Sequence, residues 1–183
     1  MADLLEKSGL PQGLSDVLQR SSVPLTIASL TAPDCPLVMV NDKFCAMSGY
    51  APHEMIDKNC RFLQPATGAG PVRSRIRAFL SDPKVDHDRF ALANVRKGGE
   101  PFLNLLYLTK LSNDGKYQLV LGSQFDITNL TADNASTYDK SLAKDLRKTK
   151  ELFRESTWSL IGSFTALAES SVAIAQANFH VDD

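Results

Sequence analysis

Apolar positions recur along this chain at two periods, and the change from one to the other divides it. Leu10, Leu14, Val17 and Leu18 fall at helical spacing, with Ser15 and Asp16 near a plausible start, so residues 1–22 predict a short amphipathic flanking helix. Its simplest role is to cover one face of a sheet. Pro24 to Ser29 and Pro36 to Val40 are β-prone runs separated by Pro33, Asp34 and Pro36, which predicts two strands joined by a turn-containing loop. Asn41-Asp42 supplies a cap for a helical piece holding Phe44, Met47 and Ser48; Gly49-Tyr50 ends it, and Ala51-Pro52-His53-Glu54 opens another helical turn. From Pro71 to Leu80, Val72, Ile76, Phe79 and Leu80 make an apolar stripe while Arg73, Arg75 and Arg77 point elsewhere.

The period then becomes two. His87–Arg96, Pro101–Leu111 and Tyr117–Asp126 predict three antiparallel strands, because Gly98-Gly99 and Asn113-Asp114-Gly115 are hairpin-turn signals. Alternation places Phe90, Leu92 and Asn94 on one face of the first strand, Phe102, Asn104, Leu106 and Leu108 on that of the second, and Val120, Gly122 and Gln124 on that of the third. The amides fall in phase with the apolar residues. A buried amide without a partner costs roughly 1–3 kcal/mol. Asn94, Asn104 and Gln124 therefore bond backbone or water, or they meet a ligand such as a planar heterocycle with carbonyls and ring nitrogens.

Beyond Asp126 the chain is polar and linker-like from Thr128 to Tyr138, and from about Asp139 its apolar residues, Leu142, Leu146, Phe153 and Leu160 to Val172 among them, return to helical spacing. A helix this apolar on one side needs a partner surface. Packing back on the sheet and pairing with a second copy both supply one; the second is the expectation, a homodimer through the flanking helices. The division expected is residues 1–22, a core of 23–128, and a helical extension of 129–183.

With 20 basic and 21 acidic residues in 183, and a net charge of −1, nothing suggests a polyanion binder, and no direct nucleic-acid contact is expected. The three cysteines, Cys35, Cys45 and Cys60, show neither zinc-site nor disulfide-framework spacing. No metal is expected, and a reducing cytoplasm suits them. Met1 to Lys7 lacks the features of a signal peptide, and Ser156 to Phe179 is too interrupted by polar residues to cross a membrane, so a soluble protein without membrane contact is expected.

The chemistry concentrates in Asn59-Cys60-Arg61-Phe62-Leu63-Gln64: one thiol, three hydrogen-bonding groups and two large apolar side chains. One reading is a ligand site; the other is a helical turn whose Cys60, Phe62 and Leu63 fill a core, since free cysteine is usually buried and inert. The stretch resembles the signature of light-oxygen-voltage (LOV) domains, the flavin-binding branch of the PAS superfamily. The resemblance covers roughly residues 22–128 and includes Gly49-Tyr50, Ile76-Arg77, Asn94, Phe102 to Leu105 and Gly122 to Asp126.

The resemblance implies an α+β PAS/LOV fold: a five-stranded antiparallel sheet with short helices on one face, plus N- and C-terminal flanking helices. It implies a blue-light photoreceptor of the bacterial type, with no enzymatic activity. Cys60 would form a reversible adduct with C4a of a flavin, and Gln124 would relay the change to the flanking helices, the dimer or an unknown protein partner. Arg61 and Arg77 would hold the phosphate of FMN, Asn59 and Gln64 the ribityl chain or ring edge, and Asn94 and Asn104 the polar edge of the ring, with Thr26, Leu106 and Leu108 lining it. The short Gln64–Pro71 segment argues for FMN over FAD. Cys35, where the family often has Asn, and Thr26 and Ala28 depart from its pattern and bear on adduct lifetime. A flavin redox sensor or PAS ligand-binding module without photochemistry is the alternative. A cysteine enzyme would need a base near Cys60, and neither His53 nor His87 has a supporting motif.

Overall fold

The computed structural model describes Leu10, residues 12–128 and the backbone of residues 158–160. Helix α1 (Gln12–Gln19) precedes strands β1 (Leu25–Ser29) and β2 (Leu37–Val40). Helices α2 (Asp42–Ser48) and α3 (Pro52–Met55), a 3-10 turn (Cys60–Leu63) and helix α4 (Val72–Ser81) follow. Strands β3 (His87–Val95), β4 (Pro101–Asn113) and β5 (Lys116–Asp126) complete the core. The sheet runs β2-β1-β5-β4-β3, antiparallel throughout. The first strand therefore lies beside the last, with Thr26 opposite Gly122.

Strand alternation gives the sheet two apolar faces. Leu25, Ile27, Met39, Leu105, Tyr107 and Leu121 form the outer face, where Leu14 and Leu18 of α1 pack. The helix does cover a sheet face, as its amphipathic pattern predicts. It starts at Gln12, a turn earlier than Ser15-Asp16 suggests, and Ser15 is buried in its middle. Ala28, Val40, Leu92, Leu108 and Val120 form the inner face, on which Phe44, Met55, Leu63 and Phe79 sit.

Local chemistry fixes the connections. Asn41 is fully buried: its Oδ1 accepts from the N–H groups of Leu25 and Phe44, each at 2.9 Å, and its Nδ2 donates to the Val23 carbonyl at 2.8 Å. One amide thus caps α2 and joins it to β1. Between β4 and β5, Asp114 (φ 49°) and Gly115 (φ 75°) both take the left-handed conformation that a two-residue type I′ hairpin requires.

One expectation is overturned. Trp158–Leu160, read from its spacing as helical, is a strand, β6, paired antiparallel with Leu111–Asn113 of β4. The pairing of β3 with β4 ends at His87 and Thr109, so the rest of that edge of β4 is open to another strand. The remainder of the C-terminal helical expectation lies outside the described residues. No helix among the described residues is long and apolar enough to cross a membrane.

Candidate functional site

A cavity of about 450 Å³ opens between the inner face of the sheet and the segment from Asn59 to Ser81. That is the size range of small-molecule and cofactor pockets. Its wall contains Thr26, Asn59, Cys60, Arg61, Gln64, Arg77, Asn94, Asn104, Leu106, Leu108 and Gln124, every site residue expected from the sequence. Strand pairing explains part of this convergence: Leu92 lies opposite Asn104, Leu106 opposite Gln124, and Leu108 opposite Gly122. In-phase residues on neighbouring strands share one side of a sheet.

The polar end is a chain of amides. Asn94 Nδ2 donates to the carbonyl of Leu63 at 3.3 Å, tying β3 to the 3-10 turn, and Asn94 Oδ1 accepts from Asn104 Nδ2 at 2.9 Å. Asn104 Oδ1 is then buried without a protein partner. Gln124, 1% exposed, donates from Nε2 to Thr26 Oγ1 at 2.9 Å, and its Oε1 is likewise buried without a protein partner. Two orphaned acceptors on one cavity wall each carry a desolvation cost that a ligand donor would remove.

Cys60 opens the 3-10 turn, which Asn59 caps by accepting the N–H of Arg61 at 2.9 Å. Burial pushes the Cys60 thiol up to about 12, with the neighbouring Cys35 adding to the effect. The residue keeps intermediate exposure because it lines the cavity. It is therefore a neutral thiol at neutral pH and a poor ground-state nucleophile. No histidine is among the residues lining the cavity, so no imidazole stands ready to deprotonate it.

Cations gather at the rim. Arg61 pairs with Asp34 at 2.6 Å, and both side chains are substantially exposed. Arg73 and Arg77, one turn apart on α4, also line the cavity. Arg75 lies instead over the Phe90 ring, 5.5 Å from its centroid. Arg73 joins Arg77 there, although the resemblance pointed to Arg77 alone on this helix. Its spacing of four from Arg77 puts both on one helix face and was the available signal.

Lys110 holds this helix against the sheet. Its side chain is buried, with Nζ 2.5 Å from the carbonyl of Asp82, the residue that ends α4, and 4.6 Å from the centre of the Phe79 ring. Burial lowers its pKa, with Asp82 and Asp86 opposing the shift.

Asn59 lines the cavity and also bonds the neighbouring loop. Its Nδ2 donates to the carbonyls of Asp34 at 2.5 Å and Cys35 at 3.5 Å, so its amide clasps the β1–β2 loop as well as capping the turn. That loop needs the clasp because Asp34 (φ 66°) and Cys35 (φ 48°) both lie in the left-handed region. Cys35 also lines the cavity, a residue that the sequence marked only as a departure from the family pattern. Cys45 packs partly buried against the inner core, in keeping with a packing role.

The residues present fit a flavin. The cavity is walled by Leu92, Leu106, Leu108 and Val120 on the sheet side and by Ile76 and Leu80 on the helix side, a slot suited to a flat ring. The free acceptor of Asn104 matches the ring's imide N–H, and the arginines match a phosphate.

The sequence profile of the PAS domain family matches residues 24–129. Blue-light-activated histidine kinase 1 of Erythrobacter litoralis is 34% identical over 142 residues, which make up 75% of this chain. The chain spans only part of the curated relatives it matches, 13% of the length of one and 39% of that of this kinase. Among solved structures, the Rhodobacter sphaeroides LOV protein superposes with a TM-score of 0.74 at 27% identity, covering 98% of each chain. The LOV domain of an Erythrobacter litoralis blue-light activated histidine kinase is 31% identical, covering 60% of this chain and all of that one, with a TM-score of 0.55. This chain belongs to the PAS domain family and, within it, to the LOV branch of blue-light photoreceptor domains.

Proposed function

We propose that this protein is a blue-light sensor that holds FMN in the cavity and signals through reversible bond formation at Cys60. One observation carries the reading: a neutral thiol faces the same cavity as two buried acceptors that the protein leaves without partners. The role is sensory and not catalytic, and the kinase activity named for the relatives belongs to those proteins.

When bound and excited by blue light, the flavin supplies an electrophilic carbon, C4a, next to a basic nitrogen, N5. Cys60 provides both a sulfur for that carbon and a proton for that nitrogen, which its neutral state makes available. In the dark the bond reverses, so Cys60 is restored. Arg61, Arg73 and Arg77 at the rim would hold the phosphate. FMN would suit this rim because the arginines could hold its single phosphate, and the short Gln64–Pro71 segment adds no chain for a larger nucleotide.

Gln124 reads the protonation state. Beside an unprotonated nitrogen its best orientation presents Nε2; beside a protonated one it presents Oε1. The Thr26 hydroxyl donates to the Gly122 carbonyl at 3.5 Å and accepts from Nε2, so it favours the orientation that presents Oε1. The change enters β5 two residues before Asp126, whose carboxylate bonds the Arg96 guanidinium and the Thr128 N–H. The same Arg96 bonds the Met47 carbonyl at the end of α2. From there the output passes to the flanking segments and a homodimer or partner interface, which dark and light scattering profiles over a concentration series would test.

The test of the photochemistry is the visible absorption spectrum of the purified protein before and after a blue pulse, followed through dark recovery. Bleaching of the oxidised-flavin bands to a single near-ultraviolet species, full recovery, and neither in Cys60→Ala would support the reading. A flavin that ignores light would leave the redox or ligand-sensing alternative.

A further inference from the structure

The cavity wall carries a second thiol for which the proposed photochemistry has no use. We propose that Cys35 and Cys60 form a dithiol site, whose oxidation by a hydroperoxide joins the two sulfurs in a disulfide and takes Cys60 out of its other chemistry.

Backbone register brings them together. The Leu37 N–H donates to the carbonyl of Lys58 at 2.9 Å, and the Asp57 N–H donates to the carbonyl of Leu37 at 3.0 Å, so the two segments run antiparallel beside each other. Cys35 lies two residues before Leu37 and Cys60 two after Lys58, so these bonds bring the two cysteine-bearing segments side by side. The Asn59 amide holds the pairing at that point by donating to the carbonyls of Asp34 and Cys35. Both residues line the same cavity, and the effect of Cys35 on the Cys60 thiol reflects their proximity. Cys45, on α2, does not line it.

The reaction balances with hydrogen peroxide as the oxidant. The Cys35 thiolate attacks a peroxide oxygen; the O–O bond breaks, hydroxide leaves and Cys35 becomes a sulfenic acid. The Cys60 thiolate then attacks the Cys35 sulfur; the S–O bond breaks, hydroxide leaves and the S–S bond forms. Two thiols and one peroxide yield one disulfide and two waters, so the thiols lose two electrons and the peroxide gains them. Cys35 goes first because burial, with Asp34 adding and Arg61 opposing, raises its thiol only to about 11, against about 12 for Cys60. Burial holds both thiols protonated at neutral pH, so the rate climbs about tenfold per pH unit below their pKa values.

The disulfide itself is independent of the photochemistry; only its consequence for light sensing rests on that reading. The experiment treats the full chain with hydrogen peroxide in the dark, blocks remaining thiols with N-ethylmaleimide and digests with trypsin without reduction. Cleavage after Lys43, Lys58 and Arg61 separates the three cysteines into different peptides. The expected result is a species joining the Cys35 peptide to Asn59-Cys60-Arg61, removed by dithiothreitol, absent in Cys35→Ser and retained in Cys45→Ser. Cys60 ending as a sulfinic acid, or linked to Cys45 or to another chain, would overturn the proposal. So would unchanged free thiols at a peroxide dose that oxidises the same cysteines in the urea-unfolded chain.

Discussion

Gln124 Nε2 donates to Thr26 Oγ1 at 2.9 Å across the β1–β5 pair, residues separated by nearly the whole length of the core. This bond turns the Gln124 oxygen into the cavity as a free acceptor. That orientation suits a protonated flavin nitrogen, the state the proposed adduct would have. Thr26→Val keeps the shape and removes the hydroxyl, so the orientation loses one bond worth about 1 kcal/mol, or roughly fivefold in an equilibrium. Dark recovery followed by absorbance is expected to run about fivefold faster than in the parent. An unchanged rate would show that the hydroxyl does not select the orientation.

Gly122 makes room for this pair. A Cβ at its position would lie 2.7 Å from Thr26 Oγ1 and 2.9 Å from Gln124 Nε2. The glutamine tip can swing away, but the short threonine cannot, and overpacking of this kind costs about 1–3 kcal/mol. Gly122→Ala should weaken flavin binding by roughly five- to a hundredfold, measured by fluorescence titration of the apoprotein. Adding Thr26→Ala, which removes one of the two clashing atoms, should recover part of the loss. A double variant as weak as the single one would place the strain elsewhere.

Much of the site was legible because strand alternation is strict. Once Gly98-Gly99 and Asn113-Asp114-Gly115 fixed the hairpins, the phase of Asn94, Asn104 and Gln124 followed from counting in twos, and the signature supplied Cys60. The pairing of β1 with β5 came only with the structure, since no local pattern dictates which distant strands meet. Arg73 was hidden because a helix stripe assigns faces to apolar residues better than to long charged ones, whose tips reach around the axis. Cys35 showed only as a departure from the family pattern, because it sits in a loop with positive φ, where no periodicity applies. Trp158–Leu160 was misread because a run of three cannot distinguish strand from helix without knowing that an edge of β4 is open.

Asp34 sets the charge at the rim against a phosphate. Its carboxylate holds Arg61 at 2.6 Å, while Arg73 and Arg77 line the same cavity from α4. Arg77→Ala removes a charge-assisted contact worth about 1.5–3 kcal/mol, so FMN should bind roughly ten- to a hundredfold more weakly while riboflavin is unaffected. Asp34→Asn frees Arg61 and removes a like charge, and should tighten FMN alone. Equal changes for FMN and riboflavin would mean that these side chains act on the fold and not on the phosphate.

The two cavity thiols make stability depend on alkaline pH. Burial raises Cys60 from 9.0 to about 12 and, with Asp34 contributing, raises Cys35 from 9.0 to about 11. Below about pH 9 both states of the chain hold these protons, and the thiols add no slope. Above it the unfolded chain releases them while the folded chain keeps them, so the folded state binds more protons and the free energy of unfolding falls as pH rises toward 11 and 12. The urea midpoint of the parent, measured under dithiothreitol, should drop between about pH 8 and pH 10.5 by more than that of Cys35→Ala/Cys60→Ala. The same shifts keep Cys60 protonated through the neutral range, so the yield of the light reaction should be flat from about pH 6 to pH 8.5. A yield rising tenfold per unit would indicate that the thiolate, and not the thiol, is the reacting form.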